Sequence, residues 1–163
     1  MVYVVPSVIL GLATIDDVMK RKVHNWVFLF CLGLGVVHTV YFWGISGLLN
    51  ALYSGGLALA ITLPLFLIKA LGGGDVKIFT AFGVATSMGT VINVFLYSLL
   101  WGTILGLGML IMNKGIKSFA QNLSTIVMLK GAPQEQLHKI PYTFALLCGW
   151  VSHLIVSHYG SAI

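Results

Sequence analysis

The stretch INVFLYSLLWGTILGLGMLIM, residues 92–112, carries no charged side chain and has the length of a membrane-spanning helix, about 20 apolar residues. The whole chain shares this character, since 58% of its 163 residues are hydrophobic and only 8% are charged. A soluble domain averages roughly 25% charged residues, so too few are present here to cover a globular surface. The composition predicts a single integral membrane domain over residues 1–163.

Five further apolar segments flank this stretch, and together they predict an all-α, polytopic bundle of six transmembrane helices. The six segments lie at about 2–18, 26–43, 48–70, 76–90, 92–112 and 140–158. The first fifteen residues lack the basic region that opens a signal peptide. We therefore expect the first helix to be retained.

The basic residues predict the orientation of the bundle. Every Lys and Arg falls in one of three gaps that six crossings place on the same side: Lys20, Arg21 and Lys22; Lys69 and Lys77; Lys114, Lys117, Lys130 and Lys139. Basic loops stay cytoplasmic, so both termini are expected outside, in a multi-pass protein of the cytoplasmic (inner) membrane. The net charge of +5 thus reflects membrane topology, and we expect lipid rather than nucleic acid as a partner.

The long inner connection has two interpretations. Apolar residues recur at helical spacing, at Ile116, Phe119, Ala120, Leu123 and Val127. They favour a helix lying on the membrane surface, and the alternative is an ordinary connector. The two cysteines, Cys31 and Cys148, lie inside apolar segments and are expected to be buried small residues. No metal spacing is visible, and no cofactor is expected.

All four acidic residues lie on the predicted inner side: Asp16, Asp17, Asp75 and Glu135. Glu135 sits in a polar connector and is expected to be solvated. Asp16 and Asp17 end the first segment, whereas Asp75 lies between the third and fourth. A carboxylate at the membrane costs a few kcal/mol unless it meets water or a partner, which makes it a functional-site hypothesis. The alternative is a charge that marks a helix end.

Three glycines precede Asp75, in the stretch Gly72-Gly73-Gly74-Asp75. Without Cβ atoms, the chain can turn sharply or approach another backbone closely. Irregular backbone at membrane depth occurs where it is packed in protein or lines a wet cavity, so the step suggests a hydrated pocket with an acid at its edge. The alternative is a plain tight turn. Lys77 either lowers the pKa of Asp75 or anchors the chain at the headgroups.

Two acids from separate parts of the chain suggest a specific chemistry. Carboxylates close together do not both ionise easily, and they share one proton. The ionised partner can activate a water while the protonated partner hydrogen-bonds a peptide carbonyl, which is general acid–base hydrolysis. The residues alone do not choose between Asp16 and Asp17. Adjacent helix residues point about 100° apart, so at most one of them should face Asp75.

These residues resemble the prepilin peptidases, membrane aspartic proteases of the GxGD type. The family has GxGD followed closely by Lys, as in Gly72–Asp75 and Lys77 here. It also has an Asp, five residues, then hydrophobic-Pro-Asn; here Asp17 and VMKRK precede Val23-His24-Asn25, with His24 in place of the proline. A third likeness is KIPY, residues 139–142, followed by Gly149.

The resemblance implies a function and a site. Asp17 and Asp75 would be the catalytic pair, with Gly72, Gly73, Gly74, Lys77 and Asn25 as substrate-binding residues. The substrate would be a prepilin or pseudopilin, whose short basic leader is cleaved after Gly at the cytoplasmic membrane face. The chain is similar to the short peptidase-only forms of tight-adherence pilus systems and archaeal preflagellin peptidases, so methyltransferase activity is not expected.

Two other function classes are open, and the first of them uses the same acids. One is a small proton-coupled transporter or channel, which predicts ion or solute flux and no proteolysis. Substrate sites in transporters usually lie near the bilayer midplane, whereas these acids lie closer to one face, which favours the protease. The other is a non-catalytic subunit of a secretion machine, which would tolerate loss of both acids.

Overall fold

A computed structural model of the chain describes residues 3–20, 24–68, 71–112 and 142–160. Within these ranges all regular structure is helical, which confirms the predicted all-α class. The helices are α1 (Val4–Lys20), α2 (Asn25–Leu67), α3 (Gly73–Val84), α4 (Met88–Met112) and α5 (Tyr142–Gly160). The predicted surface helix of the inner connection and Glu135 lie outside the described residues.

The described helices number five rather than six because the predicted segments 26–43 and 48–70 are joined in α2. Within α2 the non-helical dihedral angles fall at Gly44, with φ 63° and ψ −158°. That region of backbone space is essentially restricted to glycine. The break coincides with the connection that the sequence predicts at 44–47. The fourth predicted segment, 76–90, is divided between α3 and the start of α4.

Helix α2 bends sharply at Gly44, and helix α3 packs against both of its halves. The Thr39 hydroxyl donates a hydrogen bond to the Val84 carbonyl (2.9 Å), and the Ser54 hydroxyl donates one to the Thr86 carbonyl (3.0 Å). In a straight helix, Thr39 and Ser54 would be separated by about 22 Å. Their acceptors are two residues apart, so the two halves must converge on the C-terminal end of α3.

The contact between α2 and α3 depends on small residues. A Cβ on Gly83 would lie 2.8 Å from both the Ala58 Cβ and the Ser54 carbonyl oxygen. A Cβ on Gly55 would lie 2.7 Å from the Val84 side chain. Small residues let helix backbones approach closely, which is how membrane helices gain packing energy. Helix α3 is thereby held tightly, and its first turn, which carries Asp75, has a fixed position.

The interior contains a compact aromatic cluster at the junction of α1, α3 and α5. Trp150 of α5 is buried, and its ring packs edge-on against Phe82 of α3 with centroids 5.2 Å apart. Its indole N–H donates to the Ser7 hydroxyl of α1 (2.8 Å). Aromatic pairs in this geometry contribute about 1 kcal/mol beyond burial of their area. The cluster therefore joins the three helices that carry the site described below.

Among the residues that the structure describes, two helices have the length and apolarity to cross a membrane, α2 and the part of α4 from Met88 to Gly108. Only 22% and 17% of the residues in their most apolar windows are buried within the protein. A core helix of a soluble protein would be mostly covered. Large apolar side chains such as Trp26, Leu52 and Ile104 are instead exposed, as expected of helices that face lipid.

We expect Gly44→Ala to destabilise the protein, because a Cβ is strained at this φ and ψ even though no atom obstructs it. The free energy of unfolding should decrease by about 1–3 kcal/mol. Gly33→Ala is the matched control: it lies in the same helix with open space around it, and Ala is favoured over Gly in a helix. Thermal unfolding in detergent micelles measures both. Equal melting temperatures for the two variants would contradict the strained bend.

Candidate active site

Asp75 lies in the first turn of α3, and its carboxyl group accepts a hydrogen bond at the N-terminal end of the helix. Its Oδ2 accepts a hydrogen bond from the backbone N–H of Gly72 (3.0 Å), the residue that caps the helix. A Cβ on Gly72 would lie 3.0 Å from this oxygen. Gly72 has φ −79° and ψ 151°, an extended conformation open to other residues. The absence of a Cβ at Gly72 therefore leaves room for the Asp75 carboxyl group and does not serve a left-handed turn.

Asp17 lies in the last turn of α1 and points toward the start of α5. Its Oδ2 accepts a hydrogen bond from the hydroxyl of Thr143 (2.7 Å), a side chain that is only 1% exposed. The two residues are 126 positions apart in the sequence. The contact thus requires the C-terminal end of α1 and the N-terminal end of α5 to meet.

Thr143 contacts the second carboxyl group as well. Its backbone N–H donates a hydrogen bond to Asp75, while its hydroxyl donates to Asp17. The negative charge of Asp17 is also close enough to raise the pKa of Asp75. The structure therefore brings together the two acids that the sequence pairs, at the meeting point of α1, α3 and α5.

The pKa of Asp75 is raised from 3.8 to about 6. Burial is the main cause, because it disfavours the ionised carboxylate, and the negative charge of Asp17 adds to it. The hydrogen bonds from the backbone of Gly72 and Thr143 act in the opposite direction, since they favour the ionised form. Asp75 precedes the apolar segment 76–90, and it can hold or release a proton near neutral pH.

Asp16 points to a different neighbour. Its Oδ2 accepts a hydrogen bond from the backbone N–H of His24 (3.0 Å) and lies 3.3 Å from the imidazole Nδ1 of the same residue. His24 is the residue that precedes α2. The Asp16 carboxylate therefore links the end of α1 to the start of α2. The 100° angle between adjacent helix residues separates the two acids as the sequence predicts.

Two of the predicted substrate-binding residues contact each other. The Lys77 ammonium group donates a hydrogen bond to the Asn25 side-chain oxygen (2.7 Å), which connects α3 to the first residue of α2. The groups that shift the pKa of Asp75 are Gly72, Asp17, Thr143 and the surrounding protein, and Lys77 is not one of them. The sequence offers two roles for Lys77, lowering the pKa of Asp75 or anchoring at the headgroups, and in the structure its ammonium group contacts Asn25.

Thr143 is the residue beside both acids that the sequence does not reveal. It follows Tyr142, the last residue of the KIPY stretch, but a lone threonine in an apolar segment carries no signal of its own. Its neighbour Tyr142 is fixed by a hydrogen bond between its hydroxyl and that of Ser98 in α4 (2.7 Å). The position of Thr143 directly after the KIPY stretch is the one hint in the sequence that the start of α5 belongs to the site.

Other candidate groups do not converge in this way. No cluster of three or more His, Cys, Asp or Glu residues suited to a metal ion occurs in the described part of the chain. Cys31 is buried in the core and Cys148 is partly buried, and both thiols are free. Both cysteines therefore lie at least partly inside the packed helices, as the sequence predicts.

The comparisons with known proteins agree with this geometry. The model of the type IV leader peptidase family matches residues 4–107, which include both acids and the glycines before Asp75. The chain therefore belongs to the type IV leader peptidase family. Members of this family are aspartic prepilin peptidases, and this chain is an enzyme of that class. Comparison with curated proteins and with solved structures gave no match.

We expect Gly72→Ala to lower the rate of leader cleavage by about tenfold or more, because the new Cβ displaces the Asp75 carboxyl group. Gly73→Ala is the matched control. A Cβ at that position meets only the Phe66 ring, at 3.4 Å, and this side chain can rotate away. The measurement is the initial rate of prepilin cleavage by each purified variant in detergent. Similar rates for the two variants would argue against a space requirement at Gly72.

Asp75→Asn should be at least as stable as the wild type at neutral pH. The pKa of Asp75 is higher in the folded protein (about 6) than its usual 3.8, so folding takes up a proton between these values. The free energy of unfolding of the wild type should therefore decrease as pH rises through this range, by on the order of 1 kcal/mol.

Thermal unfolding of the wild type and Asp75→Asn at about pH 5 and about pH 7.5 measures this effect. The melting temperature of the variant, relative to that of the wild type, should increase at the higher pH. A difference that is the same at both pH values would show that Asp75 has an ordinary pKa.

Proposed function

We propose that Asp17 and Asp75 are the catalytic pair of this leader peptidase and that they share one proton. The observation that carries the proposal is the convergence of the two carboxyl groups on Thr143. Their mutual repulsion and the raised pKa of Asp75 favour a state in which one acid is ionised and the other protonated. This is the charge state that peptide hydrolysis by two carboxyl groups requires.

The proposed reaction is direct attack of water on the scissile peptide. The ionised carboxylate accepts a proton from the water as its oxygen attacks the carbonyl carbon. The protonated carboxyl group donates a hydrogen bond to the carbonyl oxygen, on which negative charge develops. Collapse of the tetrahedral intermediate then requires proton transfer to the departing nitrogen. The two carboxyl groups can supply that proton, so no covalent intermediate forms with the protein.

We propose that this chemistry takes place at the cytoplasmic face of the membrane, in a six-span protein with both termini outside. Asp17 is followed within five residues by Lys20, Arg21 and Lys22, and Asp75 is followed by Lys77. Basic residues at span ends remain cytoplasmic. The bend at Gly44 supports the count of six, because it converts α2 into two apolar halves that both pack on α3.

The proposed substrate is a prepilin or pseudopilin with a short basic leader that ends in glycine before an apolar helix. A peptide bond within a helix must unwind before water can reach its carbonyl carbon. The first-turn N–H groups of α3, at Gly73 and Gly74, have no acceptor within the helix. We propose that these groups, with Lys77 and Asn25, hold the extended stretch on either side of the scissile bond. The ammonium group of Lys77 has three donors, one of which is directed at Asn25.

The central test compares three Asp→Asn variants. Asp17→Asn and Asp75→Asn should each abolish cleavage of a co-expressed prepilin, scored as a loss of the mobility shift. Asp16→Asn is the matched control from the adjacent position. It weakens the contact with His24 but leaves the pair intact, so its cleavage should stay within several-fold of the wild type, as expected for an exposed contact.

Two results would contradict the assignment. Cleavage by Asp17→Asn or Asp75→Asn, in protein that is folded and inserted in the membrane, would show that the pair is not catalytic. Loss of cleavage in Asp16→Asn alone would transfer the role to that residue. Reconstitution in liposomes distinguishes the other function class, because a transporter would carry an ion or solute and leave the prepilin intact.

A further inference from the structure

Thr143 is the residue on which the two carboxyl groups converge. Its hydroxyl group donates to Asp17 Oδ2 at 2.7 Å, and its backbone N–H donates to Asp75. Thr143 lies at the second position of α5, beyond the residues that the family model matches.

We propose that Thr143 is a positioning residue that fixes Asp17 as the ionised member of the pair and leaves the shared proton on Asp75. The inference rests on the proposed function, since it assigns roles within that catalytic pair. It makes Asp17 the base that activates water. Asp75 is then the acid that hydrogen-bonds the scissile carbonyl.

The Thr143 hydroxyl group has a single proton, so it can donate one hydrogen bond. A threonine has one O–H donor, and here it is directed at Asp17 Oδ2. Hydrogen bonds to a charged acceptor are roughly twice as strong as those to a neutral one, so the contact favours ionised Asp17. Among the described residues, the donors that act on Asp75 are the backbone groups of Gly72 and Thr143, and these do not overcome the effect of its burial.

Thr143 is buried in a helix, α5, that is itself bonded to two others, α4 and α1. Its side chain is 1% exposed. The preceding residue, Tyr142, bonds Ser98 of α4, and Trp150 two turns later bonds Ser7 of α1. The first turn of α5 also presents the positive end of the helix dipole to the pair, which favours one negative charge there. The hydroxyl group is thus presented to Asp17 from a fixed backbone.

The test compares Thr143→Ser with Thr143→Ala. Both variants lose the Thr methyl group, so the pair differs only in the hydroxyl. We expect Thr143→Ser to retain kcat within several-fold of the wild type and Thr143→Ala to lose about 10- to 100-fold in kcat. KM should change little, since the hydroxyl contacts Asp17 rather than substrate. The probe is a purified prepilin with a basic leader ending in glycine, cleaved in detergent.

A pH profile separates positioning from simple packing. Without the hydroxyl donor, the ionised state of the pair is less favoured, so the acidic limb of the kcat/KM profile should move to higher pH, by about one unit. The buried Thr62 provides the control, because its hydroxyl bonds the Ala58 carbonyl of its own helix (2.7 Å). Thr62→Ser and Thr62→Ala should have the same pH profile.

The outcomes distinguish this inference from the proposed function. Equal kcat and equal pH profiles for Thr143→Ser and Thr143→Ala, whether both are active or both impaired, would overturn the role of the hydroxyl group. If Asp17→Asn and Asp75→Asn remain inactive in that case, the catalytic pair stands without Thr143. If those two variants cleave prepilin, the proposed function fails first.

Discussion

The packing of α3 into the bend of α2 is the constraint on which the rest of the structure depends. Gly44 allows the bend, and the small residues Gly55 and Gly83 allow the backbones to approach. Hydroxyl groups from both halves of α2 then donate hydrogen bonds to backbone carbonyl groups at the C-terminal end of α3. An unsatisfied carbonyl in lipid costs several kcal/mol, so these bonds hold α3 in one position. The opposite end of that helix presents Asp75 to α1 and α5.

The site places a negative group in surroundings that disfavour it. Burial and the neighbouring Asp17 both raise the pKa of Asp75, whereas backbone donors from Gly72 and Thr143 partly offset them. This balance sets the pKa of Asp75 to about 6. In the proposed mechanism Asp75 is the general acid, which must hold a proton in the resting enzyme and still share it during the reaction. Because the pKa of Asp75 is raised, ionisation of its carboxyl group lowers the free energy of unfolding, and such destabilising groups are common in active sites.

The sequence predicts much of this arrangement because its signals are local. Apolar segments and their lengths predict helices, and the break at Gly44 falls in the expected connection. The spacing of Asp17 and Asp75 within two motifs indicates the family, which the match over residues 4–107 confirms. The number of helices is less well predicted, because a single non-helical glycine does not interrupt the hydrogen-bonding pattern that defines α2. Within the described residues, the two segments on either side of it therefore form one element.

The amino-acid sequence by itself determined the helical class, the membrane environment and the small set of acids available for chemistry, since these follow from composition and from residues close together in the chain. Only the tertiary structure decided which acid faces which partner. Asp16 contacts His24 and Asp17 contacts Thr143, a choice that the residues alone left open and that the family spacing made in favour of Asp17. Thr143 is 126 positions from Asp17, and no local pattern marks a contact that exists only because three helix ends meet.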